Sequence, residues 1–227
     1  MLEVLKFILL YFSLFITYSF IGWIIEMITE NIFMGHKFAN RGFLIGPYCP
    51  IYGFASIIMI ILLSRYSGDI LVLFFMSLSI CTIVEYFTSF LLEKIFKARW
   101  WDYTDRAFNI NGRVCLINTI GFGLLGILLI EFMNPFILGL FNGINQVVFY
   151  IVVSIIFILF CSDVIISFNI IKNVKVSVAN LKKDYTNEFY NSVRAELTNK
   201  KFFTKRIFKA FPNLKSILSK SKIDKNN

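Results

Sequence analysis

EMITENIFMGHKFANRGFLIGPYCPIYG, Glu26 to Gly53, lies between two long apolar segments, and its reading decides how the rest of the chain is understood. It brings Glu26, Glu30, Arg41, the glycines Gly42, Gly46 and Gly53, and two prolines with tyrosines beside them (Pro47 and Tyr48, Pro50 and Tyr52) into one connection. Simple anchoring in a bilayer requires none of this. Glycine permits backbone shapes that other residues resist, and proline fixes φ and removes a donor. The run Asn40 to Phe54 is therefore expected to leave the helical path. Irregular backbone at membrane depth is tolerated only inside protein or beside a water-filled cavity. An ordinary loop with a proline opening the next helix accounts for Pro47, but not for Pro50, Tyr48 and Tyr52 beside it.

The flanking sequence sets the class. The chain is 57% hydrophobic and 18% aromatic with only 16% charged residues, the composition of a polytopic membrane protein. Crossing the hydrocarbon takes roughly 20 mostly apolar residues in a helix. Five segments are predicted to do so: Leu5 to Thr29, Pro47 to Ser64, Ile70 to Leu92, Val114 to Phe136 and Gln146 to Phe168. These apolar runs are long and continuous rather than short and alternating, which excludes a strand barrel. The expected fold is an all-α integral membrane protein, with a polytopic domain over 1–170 and a basic tail over 171–227. The first segment is too long for a secretion leader, lacks a small-residue cleavage site and carries Glu26, so it is expected to stay in the protein. Cys49, Cys81, Cys115 and Cys161 have no paired spacing and read as small apolar fillers.

Lysine and arginine set the orientation, because cytoplasmic loops retain them. From Lys172 onward the tail has 14 Lys/Arg against 4 Asp/Glu, which places it inside and, with five spans, the N-terminus outside. Lys37, Arg41, Lys94, Lys97, Arg99, Arg106 and Arg113 then fall inside, leaving only Lys6 and Arg65 outside.

Within the spans, the few polar residues are the informative ones. Tyr18, Gly22 and Glu26 recur every four residues and share one helix face. An ionised group at a helix centre costs on the order of 2.5–3.5 kcal/mol on insertion scales, so Glu26 is expected to face a cavity or partner. Glu30 snorkels to water. Ser77, Cys81, Glu85 and Ser89 form a small, polar stripe in the third span, a face suited to close helix approach and cross-helix hydrogen bonds. Glu131 sits near the outer end of span four. Asp163, with Ser167 one turn later, sits in the inner half of span five and is a further candidate for the cytoplasmic cluster.

A second stretch, Glu85 to Cys115, has a comparable layout: a helix ending with a glutamate, a basic loop, an Asn/Gly/Arg cluster and a cysteine where the next span begins. Two-span units in tandem would form a parallel repeat. Trp100 and Trp101 fit an interfacial aromatic belt, whereas Asp102, Tyr103, Asn111 and Arg113 exceed what a belt needs. The candidate substrate-binding or gating residues are thus Glu26, Asn40, Arg41, Tyr48, Tyr52, Glu85, Trp101, Asp102, Tyr103, Asn111 and Arg113. Glu26 and Glu85 are expected to pair with Arg41 and Arg113.

Other signals are weaker. GFGLLG, Gly121 to Gly126, matches a dinucleotide fingerprint in letters only, without the strand and soluble βαβ unit that the fingerprint needs. The only histidine, His36, has no second ligand nearby. No catalytic group, metal site or cofactor is expected. In the tail, KKFFTKRIFKAF places Phe203, Ile207, Phe208 and Phe211 on one helical face, with Lys200, Lys201, Lys205, Arg206 and Lys209 around the other. That pattern suits an anionic inner leaflet rather than nucleic acid.

YSFIGWIIE, NRGFLIGPYCPIYGF, the Glu85–Tyr86 pair, RWWDYTD and NGRVCL together resemble the bacterial membrane family of type IV ABC-transporter permeases, the CmpB-like family. The resemblance covers roughly the first 160 residues and leaves the basic tail outside. It implies a multi-pass permease-like protein of the bacterial plasma membrane. The chain has no Walker sequence, so ATP hydrolysis would need a separate ABC ATPase subunit. Two other functions compete with a permease. One is a membrane-embedded enzyme or binding protein acting on a lipid headgroup, with Arg41 or Arg113 holding phosphate; no nucleophile–His pair or metal motif supports its catalytic form. The other is a structural assembly protein whose polar groups only fix helix packing. Self-association is compatible with each, and substrate, direction and energy source are not encoded legibly.

Overall fold

The computed structural model describes residues 2–34, 44–96 and 100–181. Asn40, Arg41, His36 and the amphipathic tail segment with Lys200, Lys201, Lys205, Arg206 and Lys209 lie outside them. Among the described residues the chain is helical apart from its connections: α1 (Leu2–Met34), α2 (Pro50–Leu63), α3 (Ile70–Phe96), a two-strand hairpin of β1 (Asn109–Ile110) and β2 (Val114–Cys115), α4 (Leu116–Leu128), α5 (Asn134–Asn142) and α6 (Gln146–Leu181). Four stretches are long and apolar enough to cross a membrane, Glu3–Thr29, Ile70–Ile95, Leu116–Asn142 and Gln146–Asn169, with a shorter apolar one over Pro50–Tyr66. The protein is an all-α membrane protein in class.

The boundaries differ from expectation where local chemistry intervenes. The second helix opens at Pro50, not Pro47, with Cys49 as the extended residue before it. Proline is suited to a first helical position, because the amide it lacks would have no intrahelical partner there. Val114 and Cys115 belong to the hairpin rather than to the fourth span. That span runs on to Asn142, with a π-helical turn over Leu129–Met133 between α4 and α5. Pro135 cannot donate, and its ring crowds the carbonyl four residues back at Glu131; one wide turn relieves the clash.

The core gathers Leu14 and Tyr18 of α1, Met59, Ile60 and Leu63 of α2, Leu73 and Cys81 of α3, and Leu129, Ile130 and Ile137 of the fourth span. Small residues set how closely these helices approach. Gly126 of α4 faces Ser77 of α3, and Gly53 of α2 lies against Phe15 and Ser19 of α1. Helices in lipid gain little from apolar burial against each other, so backbone approach and interhelical hydrogen bonds carry more of the association. Tyr18 Oη donates to Asn134 Oδ1 across the buried centre at 3.2 Å. At the opposite end from the candidate site, Glu131 accepts from the Gly68 amide at 2.7 Å and from the Ser67 hydroxyl, which ties the α2–α3 connection to the π-helical turn.

The last helix packs on α1 through edge-to-face rings, Phe12 with Phe157 and Phe15 with Phe160, at 5.0 and 5.5 Å between centroids. Its outer face is apolar and exposed. The 36 residues of α6 span ~54 Å at the helical rise, against a hydrocarbon core of about 30 Å. The helix continues past the apolar stretch on the end where α1 and α3 also terminate.

A β-carbon at Gly53 would stand 2.6 Å from the Phe15 carbonyl oxygen, a backbone atom that cannot step aside. Gly53→Val is expected to destabilise the bundle by about 1–3 kcal/mol, read as a lower Tm of the detergent-purified protein. Gly121→Val, where nothing lies within 4 Å, should leave Tm nearly unchanged.

Candidate functional site

The residues Leu44–Cys49 before α2 are not helical, yet Leu44 and Cys49 are buried. The Cys49 amide donates to the Ser19 carbonyl at 2.9 Å, and Ser19 lies about 15 Å of helix before Thr29, the last residue of the first span. The connection therefore dips into the bundle before α2 begins, and α2 is short because part of its depth is spent on irregular chain. In the hydrocarbon such backbone must be satisfied by protein. Asp163 of α6 does this: one carboxylate oxygen accepts from the Ile45 amide at 3.0 Å, and the other from the Gly46 amide at 2.7 Å and from the Tyr48 hydroxyl. Ser167 Oγ, itself buried, donates to the same carboxylate at 2.7 Å. Sequence reasoning placed Asp163 near the cluster but did not find this clasp. The available signal was an acidic residue in an apolar helix, with no indication of what it would hold.

Behind the clasp, two carboxyls converge. Gly22 of α1 has no side chain to keep the Tyr52 ring away, so Tyr52 lies across the helix and its hydroxyl donates to Glu26 Oε1 at 2.7 Å. The same ring meets Phe122 of α4 edge-on at 6.2 Å. On α3, Glu85 is 5% exposed, and the Tyr103 hydroxyl lies beside its carboxyl. Glu26 is close enough to act on both Glu85 and Tyr103 electrostatically. Each glutamate thus meets a tyrosine from the segment that follows its own helix.

Tyr103 is carried by a tightly built turn. Its amide donates to the Gly112 carbonyl at 2.8 Å. Asp102 Oδ1 accepts from the amide and hydroxyl of Thr104. The side chain of Asn109 bonds the Thr104 and Arg106 carbonyls and the Gly112 amide. Asn111 and Gly112 have φ of 53° and 65°, the left-handed region that asparagine and glycine occupy most readily and that closes the β1–β2 hairpin. Trp101 Nε1 donates to the Arg113 carbonyl at 2.9 Å, and Asn111 Nδ2 to the Tyr86 hydroxyl at 3.0 Å. Trp100 is buried, so this pair braces the turn rather than forming a headgroup belt.

Arg113 corrects one expectation. Its Nη2 lies 2.9 Å from Glu93 Oε2, one helical face along from Glu85, and its guanidinium covers the Tyr86 and Phe90 rings at 5.4 Å each. Stacking and a fork-shaped cation suit arginine to that slot; Glu93 is its partner in place of Glu85. Of the predicted residues, Glu26, Tyr52, Glu85 and Tyr103 come together, Tyr48 joins the clasp, and Trp101, Asp102, Asn111 and Arg113 build the turn.

Burial, followed by the charges of Glu85 and Glu26, pushes the Tyr103 phenol well above its ordinary range. Burial, with Glu26 adding to it, pushes the Cys49 thiol up to about 12. No disulfide joins the four cysteines, and no group of three or more His, Cys, Asp or Glu able to hold a metal occurs among the described residues.

With this geometry in place, comparison with known proteins becomes informative. Residues 13–168 match the family described as "Putative ABC-transporter type IV", a match over more than half of the 227-residue chain. The chain belongs to this family. The matched region takes in α1 from Ser13 through α6 to Phe168, including both tyrosine-capped glutamates and the Asp163 clasp, and excludes the basic tail. No curated protein and no solved structure matches the chain. Family membership places it among ABC-transporter-type, multi-pass membrane proteins.

The clasp can be tested through Cys49. With its thiol near 12, roughly one molecule in ten thousand carries the reactive thiolate at about pH 8. A variant retaining only Cys49 should resist maleimide in native membranes and react at once after denaturation. Adding Asp163→Ala removes charge-assisted hydrogen bonds worth about 1.5–3 kcal/mol each, and labelling of Cys49 should then accelerate at least about tenfold. Unchanged labelling would show that the segment holds its place without Asp163.

Proposed function

We propose that this protein is the permease-type subunit of an ABC assembly in the bacterial plasma membrane, with its N-terminus outside and its tail inside. In this reading the cluster of Glu26, Tyr52, Glu85 and Tyr103 lines the cytoplasmic end of the substrate path. The observation that carries it is the non-helical segment Leu44–Cys49, whose ends Leu44 and Cys49 are buried and whose Cys49 amide is bonded to α1, beside that cluster. Membrane proteins that move solutes use broken helices where backbone must meet a polar path, and packing alone gives no reason to place one there. Two further features support the reading. Both glutamates belong to the same end of the bundle as the projecting part of α6, and that projection gives a separate ATPase a rigid element to grip.

In this arrangement Asp163 links α6 to the unwound segment, so a displacement of α6 by its partner reaches Tyr48 and then Tyr52 through a few bonds. Arg41, in the connection before the segment, and the lysines and arginines of the tail complete the cytoplasmic face. The tail lies on the anionic leaflet, where each basic residue is worth about 1 kcal/mol.

Affinity purification of the tagged full chain in mild detergent tests the assignment. An ABC ATPase should be recovered in near-stoichiometric amount, and the complex in vesicles should hydrolyse ATP. Tyr52→Phe and Glu26→Gln should keep the ATPase bound while lowering coupled ATP hydrolysis at least about tenfold. An intact, monodisperse protein that repeatedly purifies without any ATPase would sink the permease reading and favour a structural role.

A further inference from the structure

The tyrosine-capped glutamates are not equivalent. Glu26 is half-buried at the end of its span, whereas Glu85 is 5% exposed, and its Oε2 is fully enclosed without a hydrogen-bond partner. Among the described residues, the groups that face Glu85 are Glu26 from α1, Tyr103 from the turn, and Cys81 one helical turn back on α3. Tyr52 of α2 adjoins Glu26 and Tyr103, and Cys115 of β2 adjoins Tyr103. All of these are acids or neutral hydroxyls and thiols. Of the two cations on this turn, Arg113 is engaged with Glu93 and Arg106 is exposed.

An ionised carboxylate enclosed in this way would combine a large desolvation cost with repulsion from a neighbouring acid, and no opposing charge faces it among the described residues. Neutralisation removes both penalties and leaves only an unshared hydroxyl, a far smaller cost. A metal ion needs several ligands, and no such set occurs among the described residues. A proton needs one oxygen and no added volume.

We propose that Glu85 is a proton-binding site. The proton resides on Oε2 while the bundle is packed as described, with the Tyr103 hydroxyl beside the carboxyl. When the Trp101–Arg113 turn separates from α3 and water reaches the carboxyl, the O–H bond breaks, the proton passes to that water, and the carboxylate is left hydrated. Opening of the cluster and proton release are then one event. The permease reading supplies the use of this coupling, since an opening site would release a proton toward the cytoplasm as it admits or discharges its substrate.

Infrared spectroscopy of the purified full-length protein in nanodiscs, between about pH 5 and pH 9, tests the site without a transport assay. Wild type should show the C=O stretch of a buried protonated carboxyl near neutral pH, sensitive to exchange into D2O. Glu85→Gln should abolish that band. Because the amide mimics the neutral acid, this variant should keep its Tm within a few degrees and exceed wild type in Tm at the alkaline end. Glu26→Gln provides a second reading if Glu85→Gln does not fold: the band should persist and its midpoint move to lower pH by at least about threefold in proton concentration, since a neighbouring negative charge is lost.

A wild-type spectrum with no protonated carboxyl near neutral pH overturns the proposal, as does a band that survives Glu85→Gln. A band that vanishes in sodium but persists in choline buffer at fixed pH also overturns it, in favour of a metal cation at the same oxygen. The measurement uses the isolated chain, so a negative spectrum leaves the ATPase-dependent reading standing, and a missing ATPase leaves the spectrum unaffected.

Discussion

A peptide group that leaves the helical path inside a bilayer has no water to bond, and the protein must supply its partners. Here the obligation falls on Leu44–Cys49; Asp163 takes two of its amides, and the Gly46 and Ser19 carbonyls take two more. Two amides and a phenol converge on one carboxylate, which in turn gains enough donors to sit at membrane depth as an anion. Much of the rest follows from this exchange. The second helix can begin only at Pro50, and it is short for that reason. Its first turn then places Tyr52 over Gly22 and within reach of Glu26. Gly53, one residue on, must have no side chain, because the clasp brings α2 down onto the backbone of α1.

The second half of the molecule solves a related problem by different means. Tyr103 is brought to Glu85 not by broken helix but by a hairpin closed with two left-handed residues and braced by Asp102, Asn109 and Trp101. Arg113 anchors the hairpin on α3 through Glu93 and two aromatic rings. The outcome is similar in both halves, a glutamate near the end of a long helix capped by a downstream tyrosine. The supporting architectures differ: one is held by a distant helix, the other by its own turn.

Such an arrangement separates two kinds of polar residue that look alike in a membrane sequence. Asp163, Asp102 and Arg113 are consumed by holding backbone or a partner charge, which is a structural task. Glu26 and Glu85 lie instead at the junction of α1, α3 and the turn, Glu26 holding the Tyr52 hydroxyl and Glu85 enclosed in the bundle.

Class, span positions and the family were legible in the residues, because long uninterrupted apolar runs and a local set of motifs determine them. That Glu26, Tyr52, Glu85 and Tyr103 stand apart from their surroundings was legible too, since carboxyls and phenols in an apolar chain stand out by cost alone. Partner choice was not. Arg113 lies nearly equidistant in sequence logic from Glu85 and Glu93, and only the hairpin's left-handed closure turns its guanidinium toward Glu93. Pro47 and Pro50 are equally suited to open a helix by composition, and only the depth at which Asp163 catches the chain selects Pro50. Contacts such as Asp163 with Ile45 and Gly46, separated by more than a hundred residues, leave no local trace, because their energy arises only when two distant segments are denied water at the same place. The sequence alone therefore determined which groups would be expensive to bury, and the tertiary structure decided which of them are satisfied.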